Sequence, residues 1–326
     1  MTETPSETRP LLDRRHPERP LVLAIVGPTA TGKSALALTL AARFGGEIIN
    51  CDSTAVYRGF DIGTDKLPPP QRRGIPHHLV DVVAPTEVYT AARYASDVVP
   101  IIRDILARGR VPLIVGGTGL YYRALTRGLF PGPAADDALR ARLDRIAEVR
   151  GPERLHRWLA RVDSASAARI QPRDRKRLVR ALEVYLLTDR TLTDHFADTI
   201  SPLAFCEVST VALRIPAALT AERTRARVDD QFARGIVDEV KGLLADGVPA
   251  SARPLGGLVY RQVMELLAGV RDDAATRALI AQENRRYARR QLIWFRKEPN
   301  LNWFDGPGEL PATIAIIERA LAPLLR

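Results

Sequence analysis

Along the first third of the chain, short apolar runs alternate with amphipathic stretches. Leu21 to Gly27 (LVLAIVG) is largely apolar, too short to cross a membrane, and reads as a buried strand. An Ala- and Leu-rich helical pattern starts near Lys33. GEIINCDS then gives a short strand whose end presents Asp52 and Ser53, and PHHLVDVV is a further strand candidate. TAARYASDVVPIIRDILARG has helical periodicity ending at Gly109, and VPLIVGG follows as a strand with Gly116, Gly117 and Thr118 at its end. Such alternation predicts an α/β class: a parallel sheet with helices on both faces and ligand sites at the carboxyl ends of its strands.

In GLFPGPAADD, ending at Asp137, Pro and Gly break the pattern, and from there to about Thr199 the signals are helical and Arg-rich. Within that block Arg173, Arg175, Lys176, Arg177 and Arg180 lead into an apolar helix. VSTVALRI resumes a strand, and TAERTRARVDDQFARGIVDEVKGLLADG reads as one long helical region. The expected organisation is a tail over residues 1–19, a core of 20–130 and 205–326, and an inserted all-helical subdomain at 131–204. Late in the chain ENRRYARRQLIWFRKE sets four arginines around Tyr287, ahead of Trp294 and Phe295. Arginines beside aromatics suit RNA, but the same spacing also fits a solvated helix face with Trp294 and Phe295 in the core.

A chain of 326 residues with 46% hydrophobic and 26% charged residues can bury a large core. Its net charge of +10 favours a polyanionic partner. Cys51 and Cys206 lack metal or redox spacing and indicate a reducing compartment. The opening MTETPSETRPLLDRRHPERP is polar and Pro-rich, reads as disordered, and has no signal-peptide core. With no long apolar run, the expectation is a cytoplasmic protein without a membrane partner, as a monomer. His77 and His78, adjacent on a strand, point to opposite faces and suit no shared metal.

Between the first strand and the first helix stands GPTATGKS, Gly27, Pro28, Thr29, Ala30, Thr31, Gly32, Lys33 and Ser34, which fits the phosphate-loop pattern. The glycines let consecutive N–H groups turn inward around an anion, and the helix N-terminus adds its dipole. Lys33 supplies a mobile charge for the terminal phosphate, and the Ser34 hydroxyl is placed to ligate Mg²⁺. Nothing in the loop separates a nucleotide from another diphosphate ester.

With that loop, CDSTAVYRGFDIGTDK (Cys51 to Lys66), PHHLVD, VGGTGLY, RALEV (Arg180 to Val184), Tyr260–Gln262 and RRQLIWFR (Arg289 to Arg296) closely resemble the tRNA dimethylallyltransferases, from about Leu21 to Phe304. The resemblance implies transfer of the dimethylallyl group from dimethylallyl diphosphate to the exocyclic amine of the adenosine 3′-adjacent to the anticodon, in tRNAs reading codons that begin with U. The diphosphate is then a leaving group rather than the end of a nucleotide. Asp52, a strand-end carboxylate, suits the general base that takes the amine proton. Thr118 is placed to orient the amine, and family position assigns Arg140 to the reacting centre. The resemblance also implies that the helical insertion at 131–204 and the C-terminal basic segment grip the tRNA anticodon loop and stem, with RNA contacts at Asp52, Ser53, Thr54 and Ala55, at Lys176, Arg177, Leu178, Val179 and Arg180, and at Gly256, Gly257, Leu258, Val259, Tyr260 and Arg261.

Four positions depart from the family pattern: Ala55 replaces a common Gln, Arg173 an Asn, Val259 a Gly and Asn284 a Thr. Valine resists the positive backbone angles that glycine permits. The other readings are a prenyltransferase acting on free AMP or ADP, which needs no Arg-rich insertion, and a phosphate-loop kinase of small molecules. A GTP switch should carry an N-K-x-D signal, and the sequence has none.

Overall fold

The computed structural model describes residues 18–130 and 132–324. Residues 1–17 of the expected disordered tail lie outside them. The chain divides into two compact units, one running to Thr126 and resuming at Pro202, the other spanning Arg127–Ser201. The second unit therefore starts and ends slightly earlier than the 131–204 read from the sequence.

The larger unit holds a six-stranded, wholly parallel sheet of β1 (Leu21–Val26), β2 (Gly46–Asn50), β3 (His77–His78), β4 (Val111–Gly116), β5 (Glu207–Arg214) and β6 (Leu301–Asp305). The spatial order is β3-β2-β4-β1-β5-β6. Every residue of β1 is buried, as a central parallel strand covered on both sides requires. On one face α1 (Lys33–Phe44) and the late helix α13 (Pro311–Leu321) cover Leu21, Leu23 and Ile25 with Leu36, Leu40, Ile317 and Leu321. On the other lie α2 (Ala91–Ala107), α3 (Gly119–Thr126) and α12 (Asp273–Phe295). There the Tyr122 hydroxyl meets Thr210 Oγ1 of β5 at 2.9 Å, and its ring packs edge-on against Phe295 at 5.9 Å. Phe295 is fully buried, so it belongs to the core.

Three elements differ from the sequence reading. The strand expected over PHHLVDVV shrinks to His77–His78, because Leu79 and Asp81 adopt φ of 60° and 59°, which no strand tolerates. The long helical region after β5 is two helices, α9 (Ala217–Ala233) and α10 (Ile236–Ala245), broken at Gly235 with φ 90°. The edge strand β6 was not anticipated; its mixed LNWFD sequence carries no periodic signal. A short helix α11 (Tyr260–Leu267) completes this unit.

The smaller unit contains α4 (Asp137–Arg150), α5 (Pro152–Val162), α6 (Ser164–Arg169), α7 (Arg175–Thr188) and α8 (Leu192–Ala197). Asp136, Asp163, Asp174 and Thr191 each accept a backbone N–H of the helix they precede, which sets these starts. Leu143, Leu155, Leu159, Leu178, Val179 and Leu182 form its core. Leu178 and Val179 are therefore packing residues whose side chains cannot reach RNA, which corrects the two motif-derived assignments at these positions.

Candidate active site

The phosphate loop leaves β1, the centre of the sheet, and its neighbours β4 and β2 end beside it. Gly27 takes φ 136°, and a Cβ there would lie 2.5 Å from the Leu213 carbonyl oxygen of β5. Gly32, at φ 81°, caps α1, and a Cβ on it would collide with the Glu309 carboxylate. Both positions need glycine for conformation and for space.

Within the loop the Pro28 carbonyl accepts from Lys33 Nζ at 2.6 Å and from Thr31 Oγ1 at 2.9 Å. Ala30 adopts φ 65°, and its carbonyl accepts from Arg223 at 3.2 Å. Thr29 N–H donates to Gln291 Oε1 at 2.8 Å, while its hydroxyl accepts from Arg227 at 2.8 Å. Gln291 Nε2 in turn donates to the Gly117 carbonyl at 2.9 Å, so one amide of α12 ties the loop to the end of β4. The Ser34 hydroxyl is exposed and faces the same cavity.

The end of β2 carries Asp52. Its Oδ1 accepts the Thr54 N–H at 2.8 Å and the Ala55 N–H at 3.3 Å, which fixes the carboxylate and leaves Oδ2 for a ligand. Asn50 Oδ1 accepts the Asp52 N–H at 3.1 Å, and Asn50 Nδ2 donates to the Leu79 carbonyl at 2.9 Å. The Thr118 hydroxyl, at the end of β4, accepts the Ser53 N–H at 3.0 Å. Tyr287 of α12 lies beside the Thr118 and Gln291 side chains. Burial and the Asp52 carboxylate push its phenol up, so it stays neutral.

Lys33, Ser34, Asp52, Tyr287, Gln291 and Arg227 line one cavity of about 270 Å³. Ile48, Leu67, Val80 and Val115 give it apolar wall as well. A site with cations at one place and hydrocarbon at another suits an amphiphilic anion. Burial pulls the Lys33 ammonium down to about 7; Arg227 adds to this, and Asp52 and Cys51 oppose it. At pH 8 much of Lys33 is therefore neutral until an anion restores its charge. A diphosphate ester, fully ionised at that pH, should bind with uptake of close to one proton, and its affinity should weaken as pH rises from about 7 to 9. Calorimetric titration in buffers of different ionisation enthalpy measures the uptake, and Lys33→Met should abolish it. Uptake unchanged in that variant would assign the proton to another group.

The family-implied residues divide among these environments. Asp52, Ser53, Thr54 and Thr118 gather at the strand ends with the loop, whereas the Ala55 side chain is buried. Gly256 is exposed, Gly257 and Leu258 are half-buried, and Arg261 pairs with Glu283 at 2.8 Å. Tyr260 is fully buried and donates to Glu239 Oε1 at 2.7 Å, so its role is packing rather than RNA contact. Val259 is also buried, at φ 73° and ψ −60°. Arg140 lies in the helical unit, where its guanidinium grips both oxygens of the buried Glu183 at 2.8 and 3.0 Å. Arg180 joins that carboxylate at 2.6 Å, and Arg177 pairs with Asp174, leaving Lys176 exposed.

Sequence reasoning missed Arg223, Arg227 and Gln291 as site residues. The arginines sit four apart on α9, a spacing that says only that they share a helix face. Gln291 was visible inside RRQLIWFR, but nothing there distinguished its amide from a solvated one.

A family model described as IPP transferase matches residues 55–298. The chain belongs to that family. Among curated IPP transferase relatives, the tRNA dimethylallyltransferase of Solibacter usitatus is 46% identical over 292 residues, covering 90% of this chain and 94% of the relative. That of Koribacter versatilis is 43% identical, covering 90% and 96%. The full-length tRNA isopentenylpyrophosphate transferase of Bacillus halodurans has a similar structure, with TM-score 0.70 and 34% identity over 94% of this chain and 97% of that one. A eukaryotic dimethylallyltransferase crystallised acting on tRNA gives TM-score 0.76 at 27% identity, covering 93% and 78%. The match begins at Ala55, three residues after Asp52, and spans Thr118, Arg227, Tyr287 and Gln291.

Proposed function

We propose that this protein transfers the dimethylallyl group of dimethylallyl diphosphate to the exocyclic N6 amine of the adenosine 3′-adjacent to the anticodon, in tRNAs that read codons beginning with U. The observation that carries the reading is one cavity lined by the phosphate loop, the strand-end carboxylate Asp52 and an apolar wall. A phosphate-loop kinase of small molecules needs the first two, whereas the apolar wall suits the hydrocarbon of a prenyl donor. Exposed Arg286, Arg289 and Arg290 flank Tyr287 on α12 and offer phosphate contacts.

In the reaction the N6–carbon bond forms as the allylic carbon–oxygen bond breaks, and diphosphate departs with the electron pair. The loop N–H groups, Lys33 and Arg227 stabilise the charge that develops on it. Asp52 Oδ2 takes the N6 proton, its orientation held by the two amides on Oδ1. Thr118, anchored by the Ser53 N–H, orients the amine. Among the described residues no cluster of three or more His, Cys, Asp or Glu could cage a metal. The donor set instead suits Mg²⁺ held by the Ser34 hydroxyl together with substrate phosphates. Such an ion would supply further charge neutralisation to the leaving group.

The test is a paired incubation with dimethylallyl diphosphate and Mg²⁺, one arm containing an unmodified tRNA with adenosine beside the anticodon, the other AMP and ADP. Nucleoside mass spectrometry should find dimethylallyl-adenosine in the tRNA arm alone. Product only from free nucleotide would move the acceptor to AMP or ADP, and none in either arm would end the prenyl-transfer reading.

A further inference from the structure

We propose that Asp65 is a positioning residue that holds the Arg227 guanidinium in the orientation that meets the diphosphate of the donor. This rests on the reading above, in which Arg227 stabilises the leaving group. Asp65 lines the same cavity as Arg227, Lys33 and Asp52. It adopts φ 51°, which aspartate tolerates better than most residues, and its side chain meets α9. Oδ2 stands 3.2 Å from Arg227 Nε and accepts from Gln231 Nε2 at 3.2 Å, while Oδ1 lies 3.5 Å from Arg234.

A guanidinium is a rigid plane whose N–H groups point in fixed directions, so holding two of its nitrogens fixes the third. Arg227 Nη1 donates to the Thr29 hydroxyl of the phosphate loop at 2.8 Å, and Nε faces the Asp65 carboxylate. Among the described residues Nη2 donates to no atom, so it is the nitrogen free to meet a phosphate. Arg223, one turn earlier on α9, is turned differently: it pairs with Glu309, donates to the Ala30 carbonyl at 3.2 Å and does not line the cavity. Asp65 is itself held. Gln231 is buried, and the Nε2 it gives to Asp65 is shared with the Ile62 and Gly63 carbonyls at 3.3 and 3.4 Å. Arg234 lies farther from the carboxylate than Arg227 and is also engaged by Asp230 at 3.1 Å and the Ile62 carbonyl at 3.0 Å. A carboxylate that only screened Arg227 would oppose anion binding, and its removal would tighten diphosphate. One that aims Arg227 acts the other way, because a loosened arginine no longer meets the charge that develops on the leaving group.

Asp65→Asn in the full chain tests this, since asparagine also tolerates the positive φ and removes only the charge that faces Nε. With tRNA and dimethylallyl diphosphate saturating, its single-turnover rate should fall about tenfold. The KM for dimethylallyl diphosphate should stay within about threefold of the parent's. Added to Arg227→Met, the same substitution should cost less than about twofold, because the group it positions is gone. Arg234→Gln, which removes the other arginine beside Asp65, should leave the rate unchanged. An equal loss in both backgrounds, or an Arg234→Gln rate as low as that of Asp65→Asn, would mean that the carboxylate only holds its loop against α9 and would overturn the proposal. Inorganic diphosphate reads the same pair without an acceptor. Its calorimetric affinity should fall roughly threefold to tenfold in Asp65→Asn and change no further when the substitution is added to Arg227→Met. Tighter binding in Asp65→Asn would reduce the carboxylate to a screen and overturn the proposal as well. A parent that binds diphosphate with this dependence yet forms no product would sink the prenyl-transfer reading and leave the pairing of Asp65 with Arg227 standing.

Discussion

Asp52→Asn should lower kcat by about 10²–10⁴-fold, the range expected when a positioned general base is lost. The substitution is nearly silent structurally, because an asparagine oxygen can still accept the Thr54 and Ala55 N–H groups that now meet Oδ1. What disappears is an oxygen able to take a proton from N6. A second consequence separates this variant from a folding defect. The Asp52 carboxylate is one of the groups that hold the Lys33 ammonium up against burial. Without it Lys33 loses its proton at lower pH, so dimethylallyl diphosphate should bind more weakly than to the parent at pH 8 and approach the parent's affinity as pH is lowered to 6. Single-turnover rates at saturating substrates, with diphosphate titrations at both pH values, measure the two effects. A kcat within about tenfold of the parent's, with tRNA bound, would place the base elsewhere.

What the sequence made legible depended on whether a signal was local. The phosphate loop declares its chemistry within eight residues, because strand, glycines, lysine and helix are contiguous in the chain. The parallel sheet followed from apolar runs, yet β3 was overestimated because positive φ at Leu79 and Asp81 leaves no mark in the apolar pattern. The long CDSTAVYRGFDIGTDK stretch identified the family, but most of it is joinery. Asp61, Ile62 and Gly63 give their N–H groups to Glu239, and Lys66 donates to the Tyr57 carbonyl at 2.6 Å. Glu239 also holds Tyr260, so a loop and a helix separated widely in sequence share one carboxylate. Gln291 and Arg227 reach the site the same way, by tertiary packing that no spacing rule encodes.

Val259 shows the reverse case, a local rule overridden. The sequence says that valine resists a glycine-like backbone, and the chain nonetheless adopts φ 73° there. Strain of about 1–3 kcal/mol at such a residue is comparable with the roughly 1.5–3 kcal/mol gained by burying a valine side chain. Val259 is 3% exposed, so the two nearly offset and the turn survives the substitution.

Glu183→Ala should destabilise the helical unit by about 3 kcal/mol, near the low end for breaking a buried ion pair. The low end applies because Arg140 and Arg180 keep side-chain exposures of 38% and 35% and can turn toward water, whereas Glu183 has none. For a unit of this size such a loss lowers the melting midpoint by roughly 10–20 °C. Glu183→Gln should fall between, since it keeps an acceptor for the Asp136 N–H but not the charge. Burial pushes the Glu183 carboxyl up, and Arg140 and Arg180 more than reverse this, holding it below the usual carboxylate range. Its contribution is therefore complete above the unfolded carboxylate value of about 4.3 and is lost as pH falls through the lower folded value. The damage should also be selective. Arg140, Arg180 and the α7 start that follows Asp174 all depend on this carboxylate and its helix, whereas the phosphate loop draws its contacts from Gln291, Arg223 and Arg227. In Glu183→Ala, turnover on tRNA should collapse at temperatures where the helical unit has melted, while calorimetric binding of dimethylallyl diphosphate persists. Loss of both together would mean that the two units fold as one cooperative body. A midpoint within about 2 °C of the parent's would show that the clamp on Glu183 contributes little.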